Sequence, residues 1–172
     1  YRETAPDGTI TQYEYDSVGR LVKTTRAYGQ TEARVQQQRF DGFGRLVGEL
    51  AGNGSAKITA TMTQAQIDAV WAQNGLTHAY DAAGRRTSTT DAAGNRTVFY
   101  YNADGQLTHT VNAAGEVSER QYNGLGQLEA TVDYTVRIST SGLSGGLVDA
   151  GFRDQLAFAA LGTSHRRTAF AY

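Results

Sequence analysis

Cysteine is absent from the 172 residues, and proline occurs once, at Pro6. Without cysteine the chain has no disulfide staple and no thiolate metal site, although many secreted repeat proteins also lack it, so the compartment stays open. With one proline, the turns fall to other residues. An excess charge of either sign is missing too. The net charge is −1, which excludes a basic field for nucleic acid and an acidic tail. No apolar run approaches the roughly 20 residues that span a bilayer. The chain opens on Tyr1-Arg2-Glu3 with no signal-peptide pattern. Large aliphatic side chains are also sparse, and near-zero charge argues against disorder as the cause.

What is present is glycine, 20 residues of it, and tyrosine, ten residues. The glycines are periodic. Gly84, Gly105 and Gly126 stand 21 residues apart, and Gly94 and Gly115 are interleaved with them at the same spacing. A fixed period of this length marks a repeat protein. The copies read Tyr15-Asp16-Ser17-Val18-Gly19-Arg20-Leu21, Phe40-Asp41-Gly42-Phe43-Gly44-Arg45-Leu46, Tyr80-Asp81-Ala82-Ala83-Gly84-Arg85-Arg86, Tyr101-Asn102-Ala103-Asp104-Gly105-Gln106-Leu107 and Tyr122-Asn123-Gly124-Leu125-Gly126-Gln127-Leu128. Half-units at Asp91 to Asn95 and Asn112 to Glu116 lie between them.

Asp or Asn, two free positions and Gly predict a type I turn that ends in a left-handed residue. The acidic or amide side chain caps the turn through its own backbone. With Gly19, Gly44, Gly84, Gly94, Gly105, Gly115 and Gly126 at the left-handed position, each turn closes a hairpin with a G1 bulge. Asn102 then pairs with Gln106, and Tyr101 lies opposite Leu107. The same rule pairs Tyr15 with Leu21, Phe40 with Leu46 and Tyr122 with Leu128. Tyr80 faces Arg86 instead, where a cation over the ring is expected to replace the leucine. Two strands of six to seven residues per repeat give about a dozen strands in all. Val117 and Tyr122 differ by an odd number, so strict alternation does not put both on one face. Either the half-unit turn is built differently or a bulge interrupts the strand.

Two insertions break the period. The first, residues 55–75, carries Thr63 as an N-cap, Gly75 as a C′ residue, and an apolar stripe of Ile67, Val70 and Trp71, expected to pack onto the sheet or cap its end, with a partner-binding face as the alternative. The second, about 139–165, follows the strand-like run from Val132 to Ile138. It holds a Gly/Ser stretch and a helix near Val148 to Leu161, with Leu156, Phe158 and Leu161 as its buried side. Thr168 to Tyr172 mimics Leu76 to Tyr80, so the chain is expected to stop as a new turn begins.

The Tyr-Asp-x-x-Gly-Arg-Leu pattern at this spacing resembles the Rhs/YD-repeat family. This family comprises the repeat regions of bacterial Rhs toxins, the B and C components of insecticidal toxin complexes, and teneurins. The resemblance implies a mainly β fold: an antiparallel hairpin-repeat ribbon, part of a spiralling shell, with two short helical insertions. Residues 1–172 then form a single YD-repeat segment of a larger secreted or cell-surface protein. Its partners are neighbouring repeats and an encapsulated C-terminal effector polypeptide. A cell-surface glycan is the partner under the alternative reading of an adhesive module. The family's self-cleaving Asp-Pro-x-Gly boundary is not matched, because Asp7 follows Pro6 rather than preceding a proline. No catalytic residue, cofactor or metal ligand carries over, and the expectation is a non-enzymatic segment.

Three sharper chemistries compete with that reading. Gly142-Leu143-Ser144-Gly145-Gly146 matches G-x-S-x-G, with Asp149 or Asp154 and His165 in hydrolase order. A hydrolase elbow needs a parallel sheet with crossover helices, and this chain offers hairpins. The turn carboxylates are too few per loop for calcium. His78, His109 and His165 are scattered, with no zinc spacing.

Overall fold

The structure is a computed structural model that describes residues 1–161 and 165–170. Among these residues the chain forms thirteen strands and three helices. The mimicry of Leu76 to Tyr80 runs to Ala171 and Tyr172, and the second insertion includes 162–164. These positions lie outside the described residues. Two compact units result, Tyr1–His78 with Thr90–Gly94, and Ala79–Thr89 with Asn95–Tyr172.

The first unit is an antiparallel meander of β1 (Arg2–Thr4), β2 (Ile10–Tyr15), β3 (Leu21–Arg26), β4 (Arg34–Phe40) and β5 (Leu46–Ala51). The start of β6 (Leu76–Tyr80) pairs on β5 through Glu49↔Leu76 and Gly48↔Thr77. The second unit holds β7 (Arg86–Thr90), β8 (Arg96–Tyr101), β9 (Leu107–Val111), β10 (Glu116–Tyr122) and β11 (Leu128–Arg137). From β8 to β11 each strand pairs antiparallel with the next. A short β12 (Gly146–Leu147) adds in parallel to β8, and β13 (His165–Ala169) lines up on β11. The fold is therefore mainly β, an antiparallel hairpin ribbon interrupted by helices.

The turns are alike. Gly19, Gly44, Gly84, Gly94, Gly105, Gly115 and Gly126 have φ between 78 and 84°. At the first, Gly19 N–H donates to the Asp16 carbonyl at 3.1 Å and Asp16 N–H to the Arg20 carbonyl at 2.9 Å. The half-unit turn at Asn112 closes in the same way, with Asn112 N–H on the Glu116 carbonyl at 3.0 Å.

The parity conflict dissolves because Val117 and Tyr122 occupy opposite faces of β10. Register slips by one residue between Gln121 and Tyr122, so Gln121 opposes Ala130 while Tyr122 opposes Leu128. The extra residue, Glu129, is on the partner strand. The same slip recurs between Glu14 and Tyr15, Arg39 and Phe40, and Tyr100 and Tyr101. It is what lets Leu107 and Val111, which alternation alone would align, point to opposite sides of β9. Leu107 meets Tyr101, while Val111 pairs with Val98 and Val117 in the core. Tyr15 likewise opposes Leu21, and Phe40 opposes Leu46.

The inserted helices cover the other face in each unit. In the first, α1 (Asn53–Ala56) and α2 (Gln64–Asn74) close over fully buried Leu50. The Ser55 hydroxyl donates to the Leu50 carbonyl at 2.9 Å. Helix α2 starts on a capping box between Thr63 and Gln66, and Trp71 lies against the Cα of Gly48. Ile67 and Val70 flank it half-buried. Gly75 is not left-handed: at φ −96° it is extended, and it is glycine because a Cβ would meet the Trp71 carbonyl oxygen at 2.8 Å. The short helix α1 had no periodic signal in the sequence.

In the second unit α3 (Ala150–Ala160) buries Phe152 and Leu156 against Val98, Tyr100, Val111 and Val117. Phe152 stacks on Tyr100 with ring centroids 3.9 Å apart. Phe158 and Leu161, expected on the buried side, are 79% and 73% exposed. The stripe runs i, i+4 from Phe152 to Leu156, and Phe158 sits two residues past it, on the far side of the helix.

Candidate functional site

The feature that recurs through both units is the turn itself, and its side chains divide the work. In the Asp16 turn, Oδ1 accepts the backbone N–H of Val18 at 3.0 Å and of Arg20 at 2.9 Å. Oδ2 pairs with Arg20 Nε at 2.6 Å. Asp41 and Asp81 do the same with Arg45 and Arg85, each carboxylate oxygen meeting Nε at 2.7 Å. Hydrogen bonds from the Arg20 backbone, then its side chain, hold the Asp16 carboxyl below the usual range. At Asp41 and Asp81 desolvation is the largest influence and pushes upward, but the combined bonds from Arg45 and Arg85 outweigh it.

Where Asn replaces Asp, the partner changes from donor to acceptor. Asn102 Nδ2 donates to Gln106 Oε1 at 2.7 Å, Asn123 to Gln127 at 2.9 Å, and Asn112 to Glu116 Oε2 at 2.8 Å. An acceptor-only carboxylate is matched with Arg, and an amide that can donate is matched with Gln or Glu. Sequence reading found the turn but missed this pairing rule, although it is written four residues apart in all five full copies.

The turns are also tied to one another. Arg20 Nη1 reaches the Asp41 carbonyl of the next turn at 2.9 Å, with its guanidinium 5.2 Å from the Phe40 ring centre. Gln106 Nε2 reaches the Gly126 carbonyl at 3.1 Å. The aromatic residues reach back. Tyr101 OH donates to the Arg86 carbonyl at 2.9 Å and Tyr122 OH to the Leu107 carbonyl at 3.0 Å. Each acceptor is the residue that follows the preceding turn. Phe40 occupies the same position without a hydroxyl. Arg86 covers the Phe99 ring at 5.0 Å, and Arg85 lies 5.9 Å from the Tyr101 ring centre.

The serine motif is employed otherwise. Ser144 is exposed, with its side chain toward the Tyr100 phenol, whose pKa is raised chiefly by burial. Asp149 caps α3 by accepting the Phe152 N–H at 2.7 Å. His165 pairs with Tyr134 in the β11–β13 ladder. Asp154 lies within α3. Among the described residues no hydrogen bond joins Ser144, Asp149, Asp154 and His165 to one another. The other histidines are also separate. His78 Nε2 meets Glu49 Oε1 at 2.9 Å. His109 is edge-on to Phe152 at 5.1 Å, with Nδ1 beside the Thr108 hydroxyl at 3.1 Å. Among the described residues no group of three His, Cys, Asp or Glu gathers to hold a metal, and no helix is long and apolar enough to cross a membrane.

Residues 2–31 and 101–135 match the RHS Repeat family. No curated protein sequence matches the chain. Among solved structures, the crystal structure of TcdB2–TccC3–Cdc42 aligns with 78% of this chain at a TM-score of 0.51 and 21% identity. The Photorhabdus luminescens Tc holotoxin pore with a TccC3 mutation aligns with 80% at a TM-score of 0.52 and 22% identity. In both the chain spans only 6% of the matched chain's length. At that identity the likeness establishes the fold. The turn motif in five copies, the two matched stretches and the shared hairpin architecture make this chain similar to the Rhs/YD-repeat family.

Proposed function

We propose that this chain is one stretch of a longer repeat wall in a secreted or cell-surface toxin protein, and that the wall contains a polypeptide effector. The observation that carries the reading is the relay between turns, Arg20 to Asp41 forward and Tyr122 to Leu107 backward. Hydrogen bonding within strands already holds each hairpin. The extra side-chain bonds fix one hairpin against the next, which a wall requires and a free-standing binding loop does not. The inserted helices lie on one face in each unit, and the aromatic–leucine pairs on the other. That second face is free to meet a cargo chain. The repeats act structurally, and the role assigned to the turn glycines and the aromatic–leucine pairs is to set hairpin geometry.

The test is limited proteolysis of the full-length gene product that contains this stretch. A protected polypeptide should survive alongside the intact repeats. It should become digestible when Tyr122→Phe and Gln106→Ala break the relay in a protein that still shows β-type circular dichroism. Digestion of all non-repeat chain at the same rate in both proteins would overturn containment.

A further inference from the structure

We propose that the paired arginines Arg26 and Arg34 form a binding site for a sulfate or phosphate monoester. The two residues are directly opposed in the β3–β4 ladder, Arg26↔Arg34, at the mouth of the hairpin. Opposed residues in antiparallel strands share a face with Cβ atoms about 4.5–5.5 Å apart, and like charges placed there repel. Among the described residues neither guanidinium has a carboxylate within 4.0 Å. Glu3 accepts from the Tyr13 hydroxyl at 2.9 Å and Glu32 from the Thr31 hydroxyl at 2.9 Å. The other arginines of this unit with strand or turn positions are occupied: Arg20 and Arg45 on turn carboxylates, Arg39 on Asp68, Arg2 over Tyr28.

The pair borders a cleft of about 220 Å³ that Thr24, Gln36, Ala51 and Gly52 complete. Thr24 and Gln36 are the next opposed pair on the same face and add a hydroxyl and an amide donor. Ala51 opposes Gln36 from β5 and leaves the floor open. Two planar forks lining one cleft suit a tetrahedral dianion, which presents oxygens to both, better than a carboxylate, which one fork satisfies. The cleft exceeds a bare oxyanion, so the group carrying the ester enters as well. A net charge of −1 removes the wider basic field that a nucleic acid backbone would require.

Isothermal titration of the chain with a sulfated monosaccharide, the matching sugar phosphate and the uncharged sugar tests this. Both charged sugars should bind saturably with Kd near ~1 mM, and the uncharged sugar should give no heat. A preference between the two charged sugars identifies the source. Arg26→Gln and Arg34→Gln should each weaken binding roughly tenfold. Arg137→Gln, whose guanidinium pairs with Glu116 at 2.7 Å, should leave it unchanged. Without ligand, Arg26→Gln should raise Tm by removing the repulsion, whereas an arginine with a structural role would lower it. Equal binding by wild type and the Arg26→Gln/Arg34→Gln double variant, or a lowered Tm without ligand, would overturn the site.

Discussion

The Tyr122 hydroxyl donates to the backbone carbonyl of Leu107 at 3.0 Å, one bond that joins two successive hairpins. Tyr101 makes the equivalent bond to Arg86. Removing the oxygen by Tyr122→Phe should cost about 1 kcal/mol, because the ring and its contact with Leu128 remain while a single neutral hydrogen bond is lost. Urea melts of the two proteins, with matched m-values, measure it.

Phe40 is the converse case. It occupies the aromatic position of its turn with Arg20 over its ring, and it lacks the hydroxyl. By the turn position of the acceptors of Tyr101 and Tyr122, each the residue after the preceding turn, the equivalent acceptor is the Leu21 carbonyl. Phe40→Tyr should stabilise by up to ~1 kcal/mol. A fall in the urea midpoint would show that this hairpin pair is spaced differently.

The donor–acceptor rule inside the turn predicts a rescue. Asp81→Asn leaves Arg85 facing an amide that also donates, and should lower Tm. Adding Arg85→Gln rebuilds the pair seen at Asn102 and Gln106 and should recover most of the loss. Additive losses in the double variant would count against a matched pair.

Acid should act in two stages. His109 is buried, which lowers its pKa most. Arg153 on α3 lowers it further, and Glu119 opposite it, itself bonded by Tyr134, works the other way. The unfolded chain therefore takes up the proton first, and stability falls as pH drops below about 6.5 toward the folded value. His109→Gln should flatten that limb. The turn aspartates, depressed in the folded state, contribute stability that is present above about 3.8 and is lost as pH falls through their lower folded values. Thermal melts across the pH range resolve both limbs.

Phe152 should dominate the second core. It is 2% exposed and stacked on Tyr100. Phe152→Ala should cost roughly 3–5 kcal/mol, against little for exposed Phe158→Ala. Comparable losses for the two would contradict the assignment of the helix face.

Much of the fold was legible because a turn is a local object. Asp16 and Gly19 are three residues apart, and their bonds close within that span, so spacing alone located the hairpins. The match of Asp with Arg and Asn with Gln was equally local and simply went unread. Helix α3 was found, but its face was misassigned, since Leu156, Phe158 and Leu161 are all apolar and only contact with Tyr100 separates them. Gly75 shows the same limit from the backbone side. Its identity suggested a left-handed cap, yet the constraint is the carbonyl of Trp71 above it.

By itself the sequence determined the repeat period, the hairpins, the αL glycines and the partners of Tyr15, Phe40, Tyr101 and Tyr122. These depend on φ preference and on bonds among residues a few positions apart. The tertiary structure decided which face each residue takes. A single extra residue such as Glu129 reverses alternation, and whether a strand accommodates one depends on what it is packed against. It also decided that Arg26 and Arg34 stand opposed with no carboxylate within 4.0 Å among the described residues, a relation set by strand register.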